Sequence, residues 1–221
     1  MVLRSRFAVL NLLQTQRDLA LKLSETDDLE YGLELVLRTA LDIAELECGG
    51  WYVKDVPSGA LELHCPRGLS DQFVAATSWF APDSPHTRVV DAGRAVYTTP
   101  SALECPLSEA ELAENLTFLA VLPVMHQGRA IACLNVASRG REDIGDIQRA
   151  ALETIVAQMG GVIDRLRTGE ALRQSEALHR FLRNHSVDVI AQLNEQHEFT
   201  FVSDSCQSVF GYESSQLKGT S

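Results

Sequence analysis

Apolar residues recur at helical spacing in two parts of the chain, residues 7–46 and residues 142–182. Spacings of three and four residues predict helices with one apolar face. The first part predicts two helices, because a polar run at residues 24–28 interrupts the pattern and offers helix caps. The second part predicts one long helix, weakened by about 1 kcal/mol at each of Gly160 and Gly161. The residues that define these faces are Phe7, Leu10, Leu13, Leu21, Leu29, Leu33, Val36, Leu37, Ala40, Leu41, Ile43, Ile144, Ile147, Ala151, Ile155, Met159, Val162 and Leu166.

Short runs of alternating character predict β-strands between these helical parts. The first strand pair is joined by a turn with Pro57 and Gly59, and the last pair by the turn Gln127-Gly128. The segment 81–116 is irregular, with four of the seven prolines, and predicts only short helices and one strand. This order of elements favours an α+β fold, an antiparallel sheet with helices on both faces. The predicted strands are residues 49–54, 60–65, 95–98, 118–125 and 130–137.

The charge of the chain limits its partners. Aspartate and glutamate number 30 against 19 lysines and arginines, so the formal net charge is -11. Such a balance argues against a nucleic-acid surface, which needs a basic patch, and against an anionic membrane. No apolar run approaches the roughly 20 residues that span a bilayer. The 5 cysteines, an odd number without CxxC spacing, predict free thiols in a reducing cytoplasm and neither disulfides nor a metal site.

Several short motifs follow one another in a set order through the first 165 residues. They begin with the helix end Leu41-Asp42-Ile43-Ala44 and the strand Gly49–Val53. The others are Arg67-Gly68-Leu69, Ala92–Val96, Val121–Val124, Gly128–Ile131 and Leu134-Asn135-Val136. In this order, and with this order of helices and strands, they resemble a GAF domain. The resemblance implies a GAF-like sensor domain at residues 7–165, as in bacterial sensory proteins.

Residues 186–221 carry a separate pattern. Two short runs, residues 187–193 and 199–203, flank a polar turn and predict a β-hairpin. A two-stranded hairpin cannot bury a core alone, so we expect an incomplete α/β fragment whose output part lies downstream. Residues 166–185 are then a long connecting helix. The motifs Asp188-Val189-Ile190, Phe201-Val202-Ser203, Ser205-Cys206, Phe210-Gly211-Tyr212 and Leu217-Lys218-Gly219 resemble the N-terminal part of a PAS domain, with Gln216 where that family usually has an acidic residue.

The candidate binding site follows from the GAF resemblance. In GAF domains that bind small molecules, the ligand lies on the sheet face that the irregular middle segment covers. Aromatic walls with a few polar groups suit a small ligand. Under the alternative interpretation, the aromatic residues only fill the core and the polar ones only cap turns. The sequence identifies no ligand or cofactor. The expected ligand-binding residues are His64, Trp79, Phe80, Asp83, Ser84, Arg88 and Tyr97.

These features predict a sensory input module without catalytic activity of its own. It binds a small molecule, dimerises, or does both, and regulates a downstream effector, a histidine kinase or a diguanylate cyclase. The apolar stripe around Ile155–Leu166 motivates a homodimer through that helix. The alternative is that this helix packs against its own sheet.

Two other functions stay open at this stage. One is a structural GAF dimerisation domain without a ligand. The other is a cysteine-dependent methionine sulfoxide reductase, which needs one thiolate to attack the substrate and a second thiol to resolve the product. Cys65 and Cys105 could serve only if the fold brings them together. Cys105 also lies in the region where some GAF relatives attach a bilin, but no histidine follows it closely.

Overall fold

A computed structural model describes residues 2–103, 105–185 and 189–220, with the side chains of residues 2–13 and 182–185 outside the description. The chain divides into two compact units, Met1–Arg167 and Thr168–Ser221. The boundary falls inside the last long helix, whose backbone is continuous from one unit to the next.

The first unit is a mixed helix and antiparallel sheet structure, which confirms the predicted fold class. Six strands pair in the order β3-β2-β1-β6-β5-β4, and every pair is antiparallel. A short 3₁₀ helix, Pro100–Leu103, follows β4. The elements are α1 (Val2–Glu25), α2 (Leu29–Ala44), β1 (Cys48–Lys54), β2 (Leu61–Arg67), α3 (Asp71–Thr77), β3 (Trp79–Phe80), α4 (Pro85–Asp91), β4 (Val96–Thr98), α5 (Glu109–Ala113), β5 (Phe118–His126), β6 (Arg129–Ser138) and α6 (Asp146–His185).

One face of the sheet packs against α1, α2 and α6 and forms the main hydrophobic core. Trp51 lies at its centre, fully buried, and its indole Nε1 donates a hydrogen bond of 2.9 Å to the carbonyl oxygen of Leu33 in α2. This bond satisfies the one polar group that the indole brings into the core. On α1, Leu19 and Leu23 are buried and Leu21 is exposed, because side chains four apart share a helix face. The predicted α1 positions Phe7, Leu10 and Leu13 lie outside the described side chains.

The apolar stripe of α6 belongs to this core. Ile155, Met159 and Leu166 are almost completely buried, and Val162 packs against the same cluster. Of the two interpretations of the stripe, the structure has the helix packed against its own sheet. The homodimer through Ile155–Leu166 therefore loses the observation that motivated it, because these side chains already have neighbours within the chain.

The opposite face of the sheet is covered by three short helices of seven, seven and five residues, α3, α4 and α5. Helices this short do not hold their shape alone. Each begins with a serine, Ser70, Ser84 or Ser108, whose hydroxyl accepts a hydrogen bond of 3.2 or 3.3 Å from a backbone N–H one turn later. These caps fix where each helix starts.

An ion pair between the buried Glu114 and the exposed Arg139 anchors α3 and α5 to the end of β6. Glu114 follows α5 and is 5% exposed, and its carboxylate pairs with the Arg139 guanidinium. The Ser70 hydroxyl donates to the same carboxylate at 2.5 Å, and Arg139 Nη2 donates to the Gly68 carbonyl oxygen at 2.8 Å. Burial would raise the pKa of Glu114, but the hydrogen bonds from Ser70 and Arg139 outweigh burial and hold this pKa below its ordinary value.

The second unit contains a small hairpin and two short helices. Strands β7 (Ala191–Leu193) and β8 (Phe199–Val202) pair antiparallel, followed by α7 (Ser205–Phe210) and α8 (Ser214–Leu217). The described part of the predicted hairpin is therefore present, while Val187 and Asp188 lie outside the described residues. Few apolar side chains are buried in this unit.

The two adjacent glycines of α6 provide a matched test of its packing. A Cβ at Gly160 would collide with the Met125 carbonyl oxygen of β5, whereas a Cβ at Gly161 would meet nothing within 4 Å. We expect Gly161→Ala to raise the free energy of unfolding by about 0.5–1 kcal/mol through helix propensity. We expect Gly160→Ala to lower it by about 1–3 kcal/mol through overpacking. Urea unfolding followed by the fluorescence of Trp51 and Trp79 measures both, and equal effects would contradict close packing of α6 on β5.

Removing the Glu114 carboxylate leaves Arg139 and Ser70 without their shared partner. We expect Glu114→Ala to lower the free energy of unfolding by about 2–3 kcal/mol at neutral pH. The exposed neighbour Glu109 serves as control, since Glu109→Ala changes the free energy by at most about 0.5 kcal/mol.

The same pair predicts a pH dependence. Because the folded pKa of Glu114 lies below the ordinary 4.5, its stabilising contribution is complete above that value and is lost as pH falls through the folded pKa. The stability difference between the wild-type chain and Glu114→Ala therefore shrinks on acidification. A difference that stays constant down to the acid transition would contradict this role.

Candidate functional site

A cavity of about 70 Å³ lies between the sheet and the helices α3, α4 and α5. This volume is about half of the roughly 150 Å³ of a cavity that holds one benzene ring. A smaller pocket of about 20 Å³ shares several of its walls, Tyr52, Phe80, His86, Leu103 and Asn135. The apolar side chains that line the main cavity are Leu63, Leu69, Phe73, Phe80, Pro100, Leu103, Leu107, Leu116, Leu119 and Ala137, and the polar ones are Tyr52, Thr77, His86, Glu111 and Asn135.

The floor of the cavity is formed by β1 and β6, which neighbour each other in the sheet. Gly50 keeps this floor open, since its Cβ would lie 2.9 Å from a methyl group of the cavity residue Leu63, whereas a Cβ at Gly49 would meet Leu37 of α2. Tyr52 follows on the same strand and is almost fully buried, and burial raises its pKa, so its hydroxyl stays protonated at neutral pH. Alternation along the strand places Tyr52 at the cavity and its neighbour Trp51 in the main core.

His86 forms one wall. Ser84 caps α4 and Pro85 occupies its first turn, which positions His86 against Phe80. The two rings stack with centroids 4.0 Å apart and an angle of 15° between their planes. Burial lowers the pKa of His86, with the nearby Glu111 acting in the opposite direction. At neutral pH the imidazole is therefore uncharged.

Glu111 faces His86 from α5. It is the third residue of a capping box, so its Oε2 accepts hydrogen bonds of 2.8 Å from both the backbone N–H and the hydroxyl of Ser108. Its Oε1 lies 3.9 Å from His86 Nε2, which is too long for a hydrogen bond. One carboxylate oxygen is therefore held by the cap, and the other points to the cavity side.

Asn135 brings an amide to the floor from β6. Its Oδ1 lies 3.4 Å from the Cys133 thiol, which donates to it. Within the described part of the chain, no hydrogen bond engages the amide nitrogen of Asn135. The cavity therefore offers an amide donor, a carboxylate oxygen and a phenol hydroxyl among apolar walls.

Of the seven residues expected to bind a ligand, only Phe80 lines this cavity. Ser84 acts one step away as the cap of α4. Trp79 is 52% exposed on β3. Asp83 is exposed in the turn before α4, and Arg88 is exposed on α4 itself. These three side chains do not contribute to the walls.

His64 and Tyr97 point to the opposite face of the sheet. The His64 imidazole pairs with Glu30 of α2, and the Tyr97 hydroxyl donates at 2.9 Å to Glu153 of α6. The expected site thus combined residues from both faces. Strand alternation explains the correction for β2, because Leu63 lines the cavity and its neighbour His64 must face away.

Sequence reasoning missed His86, Glu111, Tyr52 and Asn135. The last two alternate with core residues in their strands, so a strict two-residue period would have found them. Glu111 belongs to a capping box, and this structural role accounts for a glutamate at that position without any binding site. His86 had no local signal, since its place depends on the packing of α4 over the sheet.

Metal and membrane signals are absent from the part of the chain that the structure describes. No group of three or more His, Cys, Asp or Glu side chains there is arranged to hold a metal ion. None of the described helices combines the length and apolar character that crossing a bilayer requires.

Three solved structures illustrate the fold that the chain shares. It is similar to the GAF domain of a phosphoenolpyruvate-protein phosphotransferase from Coxiella burnetii (16% identity, TM-score 0.63, covering 73% of this chain and 98% of that one). It is similar to the GAF domain of a protein described as a sensor histidine kinase from Pseudomonas syringae pv. tomato (12% identity, TM-score 0.59, covering 79% of this chain and 99% of that one). It is also similar to free methionine-R-sulfoxide reductase from Neisseria meningitidis, in complex with its substrate (15% identity, TM-score 0.54, covering 71% of this chain and 88% of that one). At these identities the similarity shows the fold alone.

The family itself is shown by the sequence. No curated protein matches the chain. The model of the family described as GAF domain matches residues 26–164, more than half of the chain. This match spans α2 to the first half of α6 and includes every strand of the six-stranded sheet. The chain therefore belongs to the GAF domain family.

Proposed function

We propose that this chain is a sensory input module that binds a small molecule in the cavity under α3, α4 and α5. The observation that carries the proposal is the wall structure: apolar side chains surround a carboxylate oxygen, an amide nitrogen and a phenol without filling the space between them. Such an arrangement is typical of small-molecule sites. We propose a binding role and no catalytic reaction for residues 1–221.

A ligand at the cavity floor would contact the two strands that also pack against α6. Tyr52 and Asn135 reach the cavity from β1 and β6, while the adjacent Trp51 and Leu134 reach the core that α6 completes. A shift of these strands on binding would therefore move the packing surface of α6. We propose that α6 passes this displacement to an effector, a histidine kinase or a diguanylate cyclase. The fold shared with a protein described as a sensor histidine kinase supports this by analogy only.

We also propose that residues 186–221 are the N-terminal part of a PAS domain. The hairpin and the two short helices in their described part support this assignment. Phe210 and Tyr212 are each more than half exposed. Aromatic side chains in this state favour a piece that packs against further structure.

The cysteine-reductase alternative gains no support from the thiols. The Cys65 thiol bonds to Glu30 on the α2 side of the sheet, and burial, followed by Glu30, raises its pKa to about 12. Cys105 lies in the covering segment near Arg88 and Glu111, and burial raises its pKa as well. A reductase needs a reactive thiolate and a second thiol within reach.

Dimerisation remains part of the proposal, through another stretch of α6. Residues 171–180 are exposed at every position. Ala171 and Leu178 are seven residues apart and lie on the same helix face, the spacing of a coiled coil. We propose that a second copy of the chain pairs along this stretch.

The cavity proposal predicts a specific loss on filling. Leu107 lines the cavity, whereas Leu112 on α5 is 60% exposed. We expect small molecules retained from a bacterial metabolite extract, detected by mass spectrometry, to bind the wild-type chain and Leu112→Trp but not Leu107→Trp. At a hundredfold excess over its Kd, such a ligand adds about 2.7 kcal/mol to the free energy of unfolding. Equal retention by the two variants, or none by the wild-type chain, would favour a structural GAF domain without a ligand.

The dimer proposal predicts a mass that depends on concentration. We expect Leu178→Glu to shift the chain toward the monomer, because a charge would be buried in the coiled-coil seam. Arg180→Glu is the control, since two residues correspond to about 200° around a helix. Light scattering across a dilution series measures the mass. A monomer at all concentrations in the wild-type chain would contradict the dimer.

A further inference from the structure

The charges around the cavity are unbalanced. Among the described lining residues, Glu111 is acidic and no lysine or arginine is present. His86, the nearest titratable group, is uncharged at neutral pH because burial lowers its pKa. The lining therefore carries one net negative charge, and Arg88, which acts on Cys105 together with Glu111, is exposed on α4 outside the lining.

Glu111 is largely removed from solvent. Its side chain is 12% exposed, and the cap hydrogen bonds engage only Oε2. A carboxylate oxygen in such a place gains from a hydrogen-bond donor and gains more from a cation. An anionic ligand would instead meet repulsion and lose its hydration without compensation.

The aromatic walls favour the same ligand charge. Tyr52 and Phe80 lie with ring centroids 5.3 Å apart, and Phe80 stacks on His86. The faces of aromatic rings attract cations through their quadrupole. The surrounding leucines offer no polar contact, so the remainder of a ligand must be apolar.

We infer that the cavity selects a small organic cation, an amine or amidine carried on a short aliphatic chain, whose N–H groups donate to Glu111. This rests on the proposed function, because it assigns a ligand class to the same cavity. Anionic compounds such as carboxylates and phosphates are excluded by the same charge.

Three probes with one shared propyl chain test the charge selection. Propylamine, 1-propanol and butyrate differ only in the group that would meet Glu111. We expect propylamine to bind the full chain at least about tenfold more tightly than butyrate, a difference of about 1.4 kcal/mol. 1-Propanol should fall between them. Chemical-shift titration of the nitrogen-labelled protein measures all three affinities and locates them by the resonances of Tyr52, His86 and Asn135.

Glu111→Gln removes the charge while keeping an acceptor for the capping box, in which glutamine replaces glutamate. We expect this variant to lose the preference for propylamine and to bind 1-propanol as before. Glu109→Gln is the matched control, because Glu109 is exposed on the same helix outside the cavity wall. It should keep the wild-type order of affinities.

The outcomes separate the two proposals. If butyrate binds as tightly as propylamine, or if Glu111→Gln keeps the preference, the cation assignment is wrong while the cavity remains a binding site. If none of the probes binds and Leu107→Trp retains the same extract compounds as the wild-type chain, the cavity itself has no ligand and both proposals fail. The ranking in the wild-type chain decides the charge question even if the variant folds poorly.

Discussion

The ion pair between the buried Glu114 carboxylate and the exposed Arg139 guanidinium is the interaction on which the cavity depends. The helices that cover the sheet are too short to hold their positions by themselves. Glu114 joins the end of α5 to Ser70 at the start of α3, and Arg139 ties both to the end of β6. A buried charge is tolerated only with such partners. The same contacts that satisfy this charge therefore keep the roof of the cavity apart from its floor.

Adjacent residues of the same strands face a closely packed core on one side of the sheet and a cavity on the other. Trp51 and Leu134 belong to a dense core closed by long helices, whereas Tyr52 and Asn135 belong to a cavity closed by short ones. Long amphipathic helices fill one face because their apolar stripes are continuous. Short capped helices leave gaps because each contributes only one or two side chains. One face is therefore closely packed, while the other encloses a cavity.

Helix α6 connects these roles within one element. Its first half is packed with the sheet, and Gly160 allows its backbone to approach Met125 closely. Its later half is exposed from residue 171 to residue 180, so its shape there depends on continuity with the packed half.

Periodicity along the chain determined the helices, the strands and the α+β class, because each pattern follows from local geometry. It missed the edge strand β3, Trp79–Phe80, because two residues are too few to show an alternation. Which face each side chain takes was decided by strand register and packing, as His64 and Tyr97 show. The meeting of His86 with Glu111 was decided only by the tertiary structure, because they lie on separate helices whose relative position no local spacing encodes. The use of the α6 stripe for the chain's own core was decided in the same way, since an apolar face is equally suited to a partner or to its own sheet.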